Sequence, residues 1–70
     1  MNNGIVIIPT YNEKENIEKI IRAVFDLPKT FHILVIDDGS PDGTANIVKG
    51  MQNEFPERLH IIERSGKLGL

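Results

Sequence analysis

The chain is 70 residues long, 40% apolar, with 8 basic and 10 acidic side chains and a formal net charge of −2. That is one small domain at most, too weakly charged to draw nucleic acid or anionic lipid from a distance, and without cysteine it has no disulfide and no thiolate zinc site. A chain this short buries only about 60% of its unfolded surface, so the sequence reads as a very economical fold or as part of something larger, not as a self-sufficient enzyme.

The first element is the run Ile5-Val6-Ile7-Ile8, an unbroken apolar stretch of the length expected for a strand buried on both faces. Met1-Asn2-Asn3-Gly4 before it carries no basic region, so no signal peptide is visible. Next, Ile17, Ile20, Ile21, Val24 and Phe25 recur on one side of an amphipathic helix. Glu15–Lys19 and Glu18–Arg22 support it as i,i+4 pairs with the acid first. Asn12 with Glu15, or Thr10 with Glu13, offers a cap for its start, and Pro28 stops it.

Ile33-Leu34-Val35-Ile36 is the second strand. A second helical pattern runs from Thr44 to about Phe55, with Ile47, Val48, Met51 and Phe55 on one side. Ser40-Pro41 reads as its cap and first position, unless Asp42-Gly43 extends the preceding turn. Gly50 weakens this helix and Pro56 ends it. Leu59-His60-Ile61-Ile62 is a third, weaker strand. No apolar run approaches the roughly 20 residues of a membrane span, and no low-complexity tract interrupts the pattern.

Strand–helix–strand–helix–strand implies right-handed crossovers and a parallel sheet: an α/β chain forming one half of a Rossmann-like sheet. Two helices on one side would cover only one face of it, and the sequence reads as the N-terminal segment of a larger α/β domain. Ligands bind outside the carboxyl ends of such strands. Pro9-Thr10-Tyr11-Asn12-Glu13, Asp37-Asp38-Gly39-Ser40-Pro41-Asp42-Gly43 and Arg64-Ser65-Gly66-Lys67-Leu68-Gly69 fall there.

The first of these loops lacks the glycines that let backbone N–H groups meet a pyrophosphate. Pro9 removes a donor and Glu13 repels an anion, so the diphosphate of any nucleotide points elsewhere. Tyr11 offers a ring for a base, and Glu13 and Asp38 offer acceptors for ribose hydroxyls or base N–H groups. Each residue also has a plainer reading: Glu13 as a helix-start acid, Tyr11 as a packing residue, and the acidic stretch as a strand-ending turn. His32 and His60 lack metal-type partners in the sequence. Lys67 is equally a solvated tail or an anion contact.

Three segments together carry a resemblance. Residues 8–13 (Ile-Pro-Thr-Tyr-Asn-Glu), 36–44 (Ile-Asp-Asp-Gly-Ser-Pro-Asp-Gly-Thr) and 66–70 (Gly-Lys-Leu-Gly-Leu) resemble the start of family 2 glycosyltransferases with the GT-A fold. Pro41 and the Gly-Lys-Leu-Gly-Leu ending point to the polyprenyl-phosphate (dolichol-phosphate) mannosyltransferase branch. The resemblance implies that residues 1–70 are an incomplete N-terminal part of a GT-A domain, the βαβαβ parallel-sheet half that binds a nucleotide sugar. The implied reaction is inverting transfer from a nucleotide sugar, GDP-mannose, to a polyprenyl (dolichyl) phosphate. A UDP-glucose-type donor, or a non-catalytic nucleotide-binding module, is the alternative; a receiver-like signalling domain is disfavoured because the first strand ends in Pro-Thr.

By motif, Pro9, Tyr11 and Glu13 would line the nucleotide pocket, Ile36 and Asp38 would contact base or ribose, and Lys67 would lie near the donor. Asp37 would be the weaker contact of the acidic pair, with a structural role as its other reading. The implied Mg²⁺ or Mn²⁺ would sit on an Asp-x-Asp motif downstream of residue 70, for which the adjacent Asp37-Asp38 is not a substitute. The resemblance further implies no nucleic-acid partner and a place on the cytoplasmic face of a membrane, reached through segments outside this chain. These 70 residues alone are expected to show no turnover.

Overall fold

The three apolar runs become the three strands of a parallel sheet. The computed structural model describes residues 4–64. Strand β1 spans Gly4–Thr10, helix α1 Ile17–Phe25, β2 Phe31–Asp37, α2 Thr44–Met51 and β3 Leu59–Glu63. The strands lie in the order β1-β2-β3, all parallel. This is the βαβαβ arrangement expected from the alternating periodicities.

Register decides which side chains meet. Val6, Ile33 and Leu59 form one row across the sheet; Ile8, Val35 and Ile61 form the next. These rows face the helices. Ile17 and Ile21 of α1, with Val48 and Met51 of α2, close over Ile33, Val35 and Leu59 to make the buried core. Ile20, expected within the buried stripe, lies at its margin and is exposed.

The other face of the sheet is the one that two helices on one side leave uncovered. Apolar runs of this kind predict strands covered on both sides, yet Ile5 is 68% exposed, Ile7 58% and Ile62 49%. Both helices pack on one side, so alternate residues of β1 are left open. His32 and His60 also lie on strands β2 and β3 here, their rings stacked with centroids 5.7 Å apart.

Helix α1 ends before Pro28 and α2 begins at Thr44, as expected, but the cap of α1 and the end of α2 differ from the local signals. Helix α1 begins at Ile17 after Asn16, with no side-chain cap, so neither the Asn12 nor the Thr10 capping box forms. Helix α2 begins after Gly43, whose φ of 94° is left-handed, a conformation glycine enters without steric cost. The Asp42-Gly43 turn therefore wins over a Ser40-Pro41 cap. Helix α2 also ends at Met51, short of Phe55. Its chain turns there because Glu54 and Phe55 both donate N–H bonds to Met51 O, and Arg58 and Leu59 to Phe55 O.

That turn ties the bottom of the fold together. The Phe25 and Phe55 rings lie 4.4 Å apart, and the Arg58 guanidinium sits 4.5 Å from the Phe25 ring centre. Arg22 donates to both Glu54 oxygens at 2.8 and 2.9 Å and to Glu18 at 2.9 Å. The Glu54 and Glu18 carboxylates hold the Arg22 guanidinium firmly charged.

Gly50 lies within exposed turns of α2, and a Cβ there would meet nothing within 4 Å. Gly50→Ala is therefore expected to stabilise the protein by about 0.5–1 kcal/mol, the helix-propensity difference. A urea-denaturation midpoint that stays put or falls would count against this.

Candidate functional site

The carboxyl ends of β1 and β2 lie side by side, with Thr10 opposite Asp37 in the register. The Asp38 N–H donates to Thr10 O at 3.0 Å, which carries the pairing one step beyond the strands. The sequence-predicted residues therefore gather at one end of the sheet. Pro9 and Ile36 are lateral neighbours on the open face. Tyr11 follows β1 and is 57% exposed, its ring accessible for stacking. Glu13 is half-buried in the loop that leads to α1. Lys67 lies outside the described residues.

The acids of residues 37–42 have separate tasks. Asp37 is buried, turned toward the helices beside Thr10. It accepts from the Thr10 hydroxyl at 2.7 Å, the Ser40 hydroxyl at 2.6 Å and the Ser40 N–H at 2.9 Å. Burial pushes its pKa up, but these donors outweigh burial and hold it below the ordinary carboxylate value. Asp38 points the other way and pairs with Arg64, which approaches at 2.8 Å through Nε and 2.7 Å through NH2. Asp42 takes the Thr44 N–H and hydroxyl on one oxygen and the Lys14 N–H on the other. The Thr44 hydroxyl is the main cause of its lowered pKa.

Arg64 was not singled out by the sequence reading. Its contact with Asp38 follows from the parallel register: Asp37 pairs with Glu63, so the next residue of each strand end is also a neighbour. No local signal in the sequence carries that information.

The loop between β1 and α1 is held from across the sheet end. Asn12 N–H donates to Ser40 Oγ at 2.8 Å, Glu13 N–H to Thr44 Oγ1 at 3.0 Å, and Lys14 N–H to an Asp42 carboxylate oxygen at 3.1 Å. Three consecutive backbone donors are thus satisfied by side chains at alternate positions of the other loop. This is why the local capping boxes stay unused: each would serve a donor, Asn12 N–H or Glu13 N–H, that already has a partner. Asn12 itself has φ of 56°, a left-handed conformation that Asn tolerates better than most residues.

The described residues do not fit a divalent cation. Among them, no group of three or more His, Cys, Asp or Glu side chains converges. Asp37 and Asp42 are occupied by hydroxyl and N–H donors, and Asp38 faces a guanidinium.

The structure is an α/β domain with a parallel sheet, acidic and aromatic residues at the carboxyl ends of its strands, and no dinucleotide-type glycine loop after β1. Residues 5–70 match glycosyl transferase family 2, and the chain belongs to that family. It is 47% identical over 66 residues to a polyprenol monophosphomannose synthase of Mycolicibacterium smegmatis, covering 94% of this chain and 25% of the relative. It is 43% identical over 61 residues to the glycosyltransferase AglE of Haloferax volcanii, covering 83% of this chain and 20% of that one. Among solved structures, the mannosyltransferase PcManGT from Pyrobaculum calidifontis, in complex with GDP-Man and Mn²⁺, superposes with a TM-score of 0.83. That match has 28% identity over 96% of this chain and 21% of the other. The fold is therefore that of a GT-A mannosyltransferase, and the chain spans a quarter or less of the length of these relatives.

Proposed function

We propose that the protein binds the nucleotide of GDP-mannose at the carboxyl ends of β1 and β2, for inverting mannosyl transfer to a polyprenyl phosphate. The observation that carries this reading is the 47% identity to a polyprenol monophosphomannose synthase across 94% of the chain. The exposed Tyr11 ring stacks on the base, while Glu13 and Asp38 accept from base or ribose donors. Pro9 and Ile36 flank them on the open face, and Lys67 contacts the donor. Among the described residues, none bonds to the Glu13 carboxylate, which suits it to a ligand. Asp38 is reachable: among the described residues its carboxylate pairs with the exposed Arg64.

In the transfer itself, a phosphate oxygen of the acceptor forms a bond to the anomeric carbon of mannose. The bond from that carbon to the GDP oxygen breaks, and GDP leaves with the electron pair. The acceptor is already an anion, so no general base is needed. A divalent cation would supply charge neutralisation for a leaving diphosphate, held by ligands we propose to lie downstream of residue 70. No helix among the described residues is long and apolar enough to cross a membrane, and we propose that the lipid acceptor is met at the cytoplasmic membrane face through other parts of the protein.

The test is transfer of radiolabelled mannose from GDP-mannose to a polyprenyl phosphate by the protein at its natural full length, read as label in the lipid phase. Mannolipid formation is expected there, and none from the 70 residues alone. Transfer from UDP-glucose in preference to GDP-mannose would overturn the donor assignment.

A further inference from the structure

The segment 40–44 carries more polar contacts than its own turn requires. An Asp followed two residues on by Thr closes a local turn by itself. Here the same side chains also reach 28–31 residues back in sequence, to Asn12, Glu13 and Lys14. Each hydroxyl is fully committed. Ser40 gives its proton to Asp37 and accepts from Asn12 N–H. Thr44 gives its proton to Asp42 and accepts from Glu13 N–H. With its proton held by a carboxylate, each hydroxyl oxygen is oriented as an acceptor toward the loop. Thr44 is fully buried, so it is closed to a ligand.

We propose that Ser40, Asp42 and Thr44 are positioning residues for nucleotide recognition: they fix the backbone of residues 12–14 and so place Tyr11 and Glu13, without touching the nucleotide. Two carboxylate–hydroxyl relays, Asp37–Ser40 and Asp42–Thr44, set the loop at two successive peptide N–H groups, and Asp42 sets a third directly. The left-handed Asn12 sits where the first relay grips. Its conformation is thus imposed from outside the loop rather than left to local preference. The inference rests on the nucleotide reading of this site, and assigns the polar residues of the Gly39–Thr44 segment to orienting that site.

Thr44→Val keeps the shape of the buried side chain and removes the hydroxyl; Thr44→Ser keeps the hydroxyl. In the full-length protein, Thr44→Val is expected to weaken GDP binding, measured by calorimetry, about tenfold. The KM for GDP-mannose should rise in step while kcat stays within about twofold, because no reacting atom is touched. Thr44→Ser should recover most of the affinity. In the absence of nucleotide, amide exchange at Glu13 should be slow in the natural protein and in Thr44→Ser, and accelerated in Thr44→Val. Should Thr44→Val not fold, Ser40→Ala makes the same test at the Asn12 amide. GDP affinity unchanged in these variants, with the protein folded, would overturn the positioning role alone. Failure of the unsubstituted protein to bind GDP would overturn the nucleotide reading and the positioning role with it.

Discussion

Asp37→Ala is expected to destabilise the protein by about 4 kcal/mol. The carboxylate is buried and takes three hydrogen bonds, two from Ser40 and one from Thr10. Hydrogen bonds to a charged group contribute about 1.5–3 kcal/mol each, and stranded buried donors cost about 1–3 kcal/mol more. The effects overlap, because Ser40 supplies two of the donors and can turn to water, so their sum is not reached. Asp37→Asn keeps one acceptor oxygen and presents an amide to the remaining donors; about half the loss is expected. Urea-denaturation midpoints of the three proteins decide it. A loss under about 1 kcal/mol for Asp37→Ala would show that the three bonds contribute little beyond what water offers.

The same residue gives a pH dependence with a definite sign. Its pKa in the folded protein lies below the ordinary value. The folded state therefore binds fewer protons than the unfolded state between the two pKa values, and stability rises with pH across that interval. The contribution is complete above the unfolded-state value of about 3.9 and is lost as pH falls through the lower folded-state value. Asp42 is shifted in the same direction and adds to the effect. Asp37→Asn should show a shallower loss of stability in acid than the natural protein.

Asp38→Ala is expected to behave in the opposite way, sparing the fold and weakening GDP binding by about 1.5–3 kcal/mol, a factor of roughly 10 to 150. Its partner Arg64 is exposed, with side-chain accessibilities of 59% for Arg64 and 38% for Asp38. Exposed ion pairs of this kind contribute about 0–1 kcal/mol to stability. The urea midpoint should therefore move little while calorimetry with GDP registers the loss. Unchanged affinity in a folded Asp38→Ala protein would remove Asp38 from the site. Neighbouring acids in one motif thus have separable readouts, Asp37 in stability and Asp38 in binding.

The α/β order was legible because continuous Ile/Val/Leu runs and a 3.6-residue apolar stripe are local patterns. Burial of Ile17, Ile21, Ile33 and Val35 followed from them. Which face the helices cover did not. A run such as Ile5-Val6-Ile7-Ile8 suits either face of a sheet, and only the placement of both helices on one side leaves Ile5 and Ile7 exposed. The cap of α1 was not legible for a related reason. Capping signals at Thr10–Glu15 assume that backbone donors find local partners, whereas Ser40, Asp42 and Thr44 serve them from a distant segment.

By itself, then, the 70-residue sequence determined the class of fold and the family, since both reside in apolar periodicity and in motifs readable residue by residue. It also placed the polar residues at the carboxyl ends of the strands, because strand ends can be located from the apolar runs. Only the tertiary structure decided which acid turns inward to Thr10 and Ser40 and which turns outward to Arg64. Adjacent residues leaving a strand point to opposite faces, and the partners Thr10 and Arg64 lie 27 and 26 positions away in the sequence. The parallel register brings those partners together, and no local pattern specifies it.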